Sequence, residues 1–145
     1  MATYSATNYL TTPVVTHGLA NNMKAFYFEV ACAAAPSTSD TINFGYVPKG
    51  FRLLHATIEA TDMDTGGSPT LALNVGDSGD ADRLFAASTV GQTGTQSSAI
   101  ATTGFGYKYT DKTLITGVAS ANAATGAAGT LYLAVFGIQE DATTS

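Results

Sequence analysis

The stretch LYLAVFGI, Leu131–Ile138, alternates strictly: Leu131, Leu133 and Val135 fall on one face, and Tyr132, Ala134, Phe136 and Ile138 on the other. A period of two identifies a β-strand. Both faces are apolar, which predicts that both are covered. A sandwich of two sheets covers only one face of each strand. The other face must meet either another segment of the chain, such as the N-terminal region, or a neighbouring subunit. Tyr132 and Phe136 are therefore candidate contact residues.

The same period recurs upstream. In Ala25–Cys32, Phe26, Phe28, Val30 and Cys32 share a face, with Tyr27 and Glu29 opposite. Thr41–Val47, Phe51–Asp62, Thr70–Val75, Phe105–Tyr109, Thr113–Ser120 and Thr130–Ile138 also read as strands. Clusters of Gly, Pro, Ser and Asp separate them, notably residues 36–40, 48–50, 64–69 and 76–82, and these are turn chemistry. Asp80 is placed to cap a short helical piece over Ala81–Ala87, where Arg83, Leu84 and Phe85 break the alternation. Residues 91–104 read as a long Gly/Thr/Ser/Gln loop. Many short strands with almost no helix predict an all-β fold, an antiparallel β-sandwich or jelly roll, formed by residues 25–145 as a single domain.

Residues 1–24 precede it as an extended N-terminal arm. They are uncharged until Lys24 and carry isolated anchors, Tyr4, Tyr9, Leu10, Val14 and Val15, with Pro13 favouring extension. Two readings stand: a disordered terminus, or an ordered arm that docks on a neighbouring subunit.

Composition narrows the function. Ala, Gly, Ser and Thr together supply 72 of 145 residues, and charged residues only 12%, against roughly 25% in an average soluble domain. Six Lys and Arg against eleven Asp and Glu give a net charge of −5, which cannot build the basic face a nucleic-acid binder needs. No apolar run approaches the length of a membrane-spanning helix. Residues 1–24 lack the charged and apolar regions of a secretory signal. A single cysteine excludes an internal disulfide framework. Contact cores are depleted of charge, so the composition suits a subunit with neighbours.

Reactive chemistry is sparse, and no catalytic residues and no cofactor are expected. Asp77, Asp80 and Asp82 cluster in one loop, a candidate Ca²⁺ site by its hard oxygen donors. Turn-forming and capping chemistry explains the same residues. His17 and His55 have no nucleophile motif around them. Cys32 ends an apolar strand face and reads as a buried, inert thiol. Tyr107, Tyr109 and Tyr132 would make a sugar platform only if brought together; packing explains them equally.

From about Phe51 onward the chain resembles a group of small virion structural proteins of tailed phages. The likeness lies in four turn-rich segments: Thr61-Asp-Met-Asp-Thr-Gly-Gly-Ser-Pro-Thr-Leu71, Leu73-Asn-Val-Gly-Asp-Ser-Gly-Asp-Ala-Asp-Arg-Leu84, Ala86-Ala-Ser-Thr-Val-Gly-Gln92 and Thr125-Gly-Ala-Ala-Gly-Thr-Leu131. It resembles capsid decoration, or cement, proteins among them. That resemblance implies a non-enzymatic β-sandwich subunit, often a homotrimer, bound to the major capsid protein on the surface of a virion. It would be made in the host cytoplasm, with no nucleic-acid or membrane partner. Alternatives are a receptor- or glycan-binding jelly roll of a head or tail fibre, and a neck or tail adaptor.

Overall fold

The computed structural model describes residues 1–6, 9, 10 and 22–140. Among these are nine strands: β1 (Thr3–Ser5), β2 (Asn22–Cys32), β3 (Thr41–Val47), β4 (Phe51–Ala60), β5 (Ala72–Asp77), β6 (Asp80–Ser88), β7 (Gln96–Ser97), β8 (Thr113–Ala121) and β9 (Gly129–Gln139). One three-residue 3-10 turn, Val90–Gln92, is the helical content among the described residues. No helix among the described residues is long and apolar enough to cross a membrane.

The strands form two sheets, ordered β1-β3-β8-β5-β6 and β2-β9-β4-β7. β2 pairs with β9, β3 with β8, β4 with β7 and β5 with β6, all antiparallel. With β1 set aside, pairing the first of these strands with the last and working inward is a long hairpin rolled up on itself, the jelly roll. β4 against β9 and β5 against β8 close each sheet. The predicted all-β jelly-roll sandwich is therefore the observed fold.

Alternation places the core. Phe28, Val30, Leu53, Ile58, Leu131, Leu133 and Val135 face inward from one sheet; Ile42, Phe44, Val47, Leu73, Val75, Phe85 and Ile115 meet them from the other. Phe51 lies edge-on to Phe26, with ring centroids 5.2 Å apart.

Several boundaries differ from the sequence expectation, with β2 starting at Asn22 rather than Ala25 and β4 ending at Ala60 rather than Asp62 among them. The helix read over Ala81–Ala87 is strand β6. Leu84 and Phe85 are both buried because the β5–β6 register shifts on either side of Val75, and bulges of this kind hide an alternation. Phe105–Tyr109 is a turn with an isolated bridge between Lys108 and Arg52. Gly106 adopts φ 77° there and so interrupts the extended path. β5 starts at Ala72 rather than Thr70, since the Thr70 and Leu71 N–H groups donate to Asp64 instead of to a ladder. Within the loop read over 91–104, Gln96–Ser97 pairs with Ile58–Glu59.

Candidate assembly surface

The outward side chains of the β2-β9-β4 sheet lie in cross-strand rows set by register. Ala25, Phe136 and His55 form one row; Tyr27, Ala134 and Thr57 the next; Glu29, Tyr132 and Glu59 the third. Met23 and Ile138 extend the patch at one end. Tyr27 stacks on Tyr132 with centroids 6.4 Å apart, and the His55 ring lies 5.8 Å from Phe136. Tyr132, Ala134, Phe136 and Ile138 are half-buried, whereas Tyr27 is 59% and Met23 65% exposed. The second apolar face of β9 is thus an open aromatic patch as far as the described residues show. Partial desolvation, then the nearby Glu29, Tyr132 and Glu59, raises the Tyr27 phenol above its usual range. Thr57 lies 2.7 Å from the Ser98 hydroxyl and 3.4 Å from His55 Nε2, giving the patch a polar margin.

Tyr132 and Phe136 stand where the alternation put them, side by side with Tyr27 and Met23, which the sequence reading did not select. In the sequence, Tyr27 shares its face with Glu29, and Met23 falls within the arm of residues 1–24. The only signal for either was cross-strand register, which one sequence does not print.

The other candidate contact residues lie near the first strand. β1 runs parallel to β3, with Thr3, Tyr4 and Ser5 opposite Thr41, Ile42 and Asn43. Tyr4 and Tyr9 are half-buried and pack against the core, Ala6 is buried, and Leu10 is 70% exposed. Pro13, Val14, Val15 and His17 lie outside the described residues. The buried Asp40 anchors this edge. Its Oδ1 accepts the Ala2 N–H at 2.6 Å and its Oδ2 the Ser37 N–H at 2.9 Å. These two bonds, the Ala2 one foremost, hold its carboxyl below the usual range.

Of the candidate cation ligands, Asp77 is buried against Arg83, whose Nε donates to Oδ2 at 2.6 Å. Its Oδ1 accepts the Gly79 and Asp80 N–H groups. Asp80 and Asp82 share a hydrogen bond that raises the Asp82 carboxyl and lowers the Asp80 one. The cluster is thus organised as turn chemistry around an arginine. No group of three or more His, Cys, Asp and Glu among the described residues could hold a metal ion.

The three tyrosines divide. Tyr107 and Tyr109 meet edge-on at 5.0 Å, and the Arg83 guanidinium lies 3.6 Å over the Tyr107 ring. Tyr132 belongs to the outward patch on β9, so the three form no single platform. Cys32 is buried, and desolvation, then Asp40, pushes its thiol up to about 12; a thiol held so high is a poor nucleophile.

This surface can be set beside known proteins. A chain of the cyanophage Pam1 capsid asymmetric unit is 40% identical, over 92% of this chain and 97% of its own, with a TM-score of 0.75. A chain of the Ralstonia phage GP4 capsid is 32% identical over 99% of both chains, with a TM-score of 0.81. The chain belongs to a family of phage virion structural proteins. No protein-family model and no curated protein matches it. The jelly roll of this virion protein is therefore a component of a capsid assembly, and its open aromatic patch is read in that setting.

Proposed function

We propose that this protein is a non-enzymatic decoration, or cement, protein of a phage head. It binds the outer surface of the shell through the major capsid protein and stabilises the junctions between capsomers, and its copies associate as a homotrimer. The observation that carries this reading is the patch of Tyr27, Tyr132, Phe136 and Met23 on an otherwise charge-poor sandwich. Contact cores concentrate such aromatic residues and Met within a polar rim, and the exposed Glu29 and Glu59 flanking Tyr132 stand at that rim. Tyr4, Tyr9, Leu10, Pro13, Val14 and Val15 are the arm's contacts with the shell or a sister subunit. Repetition around a shell multiplies modest individual affinities.

The test adds purified protein to heads that lack it. Saturable sedimentation with the heads, at a copy number that scales with capsomers, is the expected result. No binding, or the low copy number fixed by the symmetry of a neck or tail, overturns the cement reading. Deleting residues 2–20 should abolish attachment while the β-sheet circular dichroism persists. Attachment equal to that of the full chain would remove the arm from the mechanism.

A further inference from the structure

We infer that the row of Glu29, Tyr132 and Glu59, with Tyr27 beside it, is a docking surface for a basic side chain, an arginine by its fit, carried by the shell protein. This deepens the cement reading and rests on it for the identity of the partner.

Register builds the row. Glu29 on β2 and Glu59 on β4 both stand opposite Tyr132 on β9, so their backbones lie two strand spacings, ~10 Å, apart on one face. Tyr27, 59% exposed, is on that face and stacks on Tyr132. Both glutamates are exposed, and among the described residues neither enters an ion pair. Lys24 falls on the inward-facing positions of β2 by alternation, opposite Gly137. Arg52 does share the outward positions, but opposite Ile138, which places it ~20 Å along the sheet from Tyr132, and Glu140 holds it by two hydrogen bonds. Desolvation, and then Glu29, Tyr132 and Glu59, raise the Tyr27 phenol; the carboxylates' share of that shift marks a negative potential that no neighbouring cation offsets.

Charge complementarity selects the occupant. A partner that covers Tyr27 and Tyr132 draws water from the two carboxylates, which is costly unless a cation meets them. Like charge set against them would repel, so a fitting surface offers a positive group. Of the basic side chains, a guanidinium stacks on aromatic rings and forks onto carboxylates, which matches two tyrosines and two glutamates in one cluster. A second copy of this chain is a poor source of it. Arg83 is bound to Asp77, Arg52 and Lys108 to Glu140, and Lys112 stands over Tyr46. That leaves Lys24 and Lys49 of the six cations, and neither is an arginine. With a net charge of −5, two copies also repel each other. The shell protein is the other neighbour in the assembly that the cement reading describes.

Two arms test it. In the first, a Leu-Arg-Leu peptide blocked at both ends and its citrulline analogue, which keeps the shape and loses the charge, are titrated against the full chain by NMR. Saturable shifts of the Tyr27 and Tyr132 ring signals are expected, with affinity at least threefold above that of the citrulline peptide and lost in Glu29→Gln/Glu59→Gln. No saturable shift, or equal affinity for the two peptides, overturns the inference. In the second, heads that lack the protein are titrated with wild type and with the double variant in a sedimentation assay. Both glutamates are exposed, so the variant should melt as wild type does. It should bind heads at least fivefold more weakly at low salt, and the gap should close at high salt as the charges are screened. Equal or tighter binding by the variant overturns the inference. Self-association of the chain alone that disappears in the double variant overturns it too, because the cation then belongs to a second copy. Peptide binding with no attachment of wild type to heads counts against the cement reading and leaves the site for a basic group standing.

Discussion

Asp64 is the residue on which most of the loop architecture converges. It is 1% exposed, and its two oxygens accept four backbone N–H groups: Thr70, Leu71 and Ala124 at Oδ2, and Thr125 at Oδ1. Burial alone would raise its carboxyl, but the four bonds outweigh it and lower the group to about 2. The unfolded chain therefore takes up this proton first as pH falls. Stability from Asp64 is complete above about pH 4 and is lost between about 4 and about 2. Urea unfolding at stepped pH should show that loss. Asp64→Asn turns an NH₂ donor toward backbone donors, so the variant should melt roughly 5–10 °C lower at pH 7. The stability gap between the proteins should narrow toward pH 2; an unchanged gap would show that the charge is not what matters. None of this was legible in the sequence, where Asp64 looked like one turn residue among several. Its four donors come from segments six to sixty-one positions away, and no local pattern records a convergence of that range.

Among the elements, β9 was the most legible because its alternation is unbroken over the core. The register around it was not. Gly137 pairs with Leu53 just where β4 carries an extra residue, Leu54, before His55 meets Phe136. A Cβ at Gly137 would run into the Arg52 carbonyl oxygen and lie 2.6 Å from Phe51 Cζ. The strand thus requires glycine there to let Phe51 pack over its backbone. Gly137→Ala should cost about 1–3 kcal/mol by overpacking, read as a lower urea midpoint with an unchanged slope. A midpoint equal to wild type would mean that both the β4 backbone at Arg52 and the Phe51 ring move aside freely. The misread segments fail for the same physical reason. β6 buries Leu84 and Phe85 consecutively beside two register shifts. Residues 105–109 donate and accept bonds along β4, as in Leu53 N–H to the Tyr107 carbonyl, yet bend at Gly106. Pattern reading finds strands whose pleat is regular and loses those that bulge.

At the scale of the whole molecule, one sheet of the sandwich differs from the other in what it turns outward. The β3-β8-β5 sheet presents Asn43, Thr116 and Asn74 beside half-buried Tyr46, Leu114 and Val118, whereas the β2-β9-β4 sheet presents the strongly exposed Met23 and Tyr27 together with Tyr132 and Phe136. The sequence made half of this visible, since the double apolar face of β9 demanded a cover, but it could not say that the cover would be missing from the described chain. If that face meets the shell, binding and folding are separable there. Met23 and Tyr27 are exposed, so replacing them disturbs little packing, and surface changes of this kind usually stay within about 0.5 kcal/mol of wild type. In a desolvated contact the same changes remove anchor area and bury a charge; loss of one such anchor costs about 2 kcal/mol or more, roughly thirtyfold in affinity. Met23→Lys/Tyr27→Lys should therefore melt within about 2 °C of wild type and bind heads at least thirtyfold more weakly in a sedimentation titration. Thr116→Lys on the opposite sheet is the matched control and should bind as wild type does. Equal binding by both variants would move the shell contact off the β2-β9-β4 face, and weaker binding by the control alone would assign it to the β3-β8-β5 sheet.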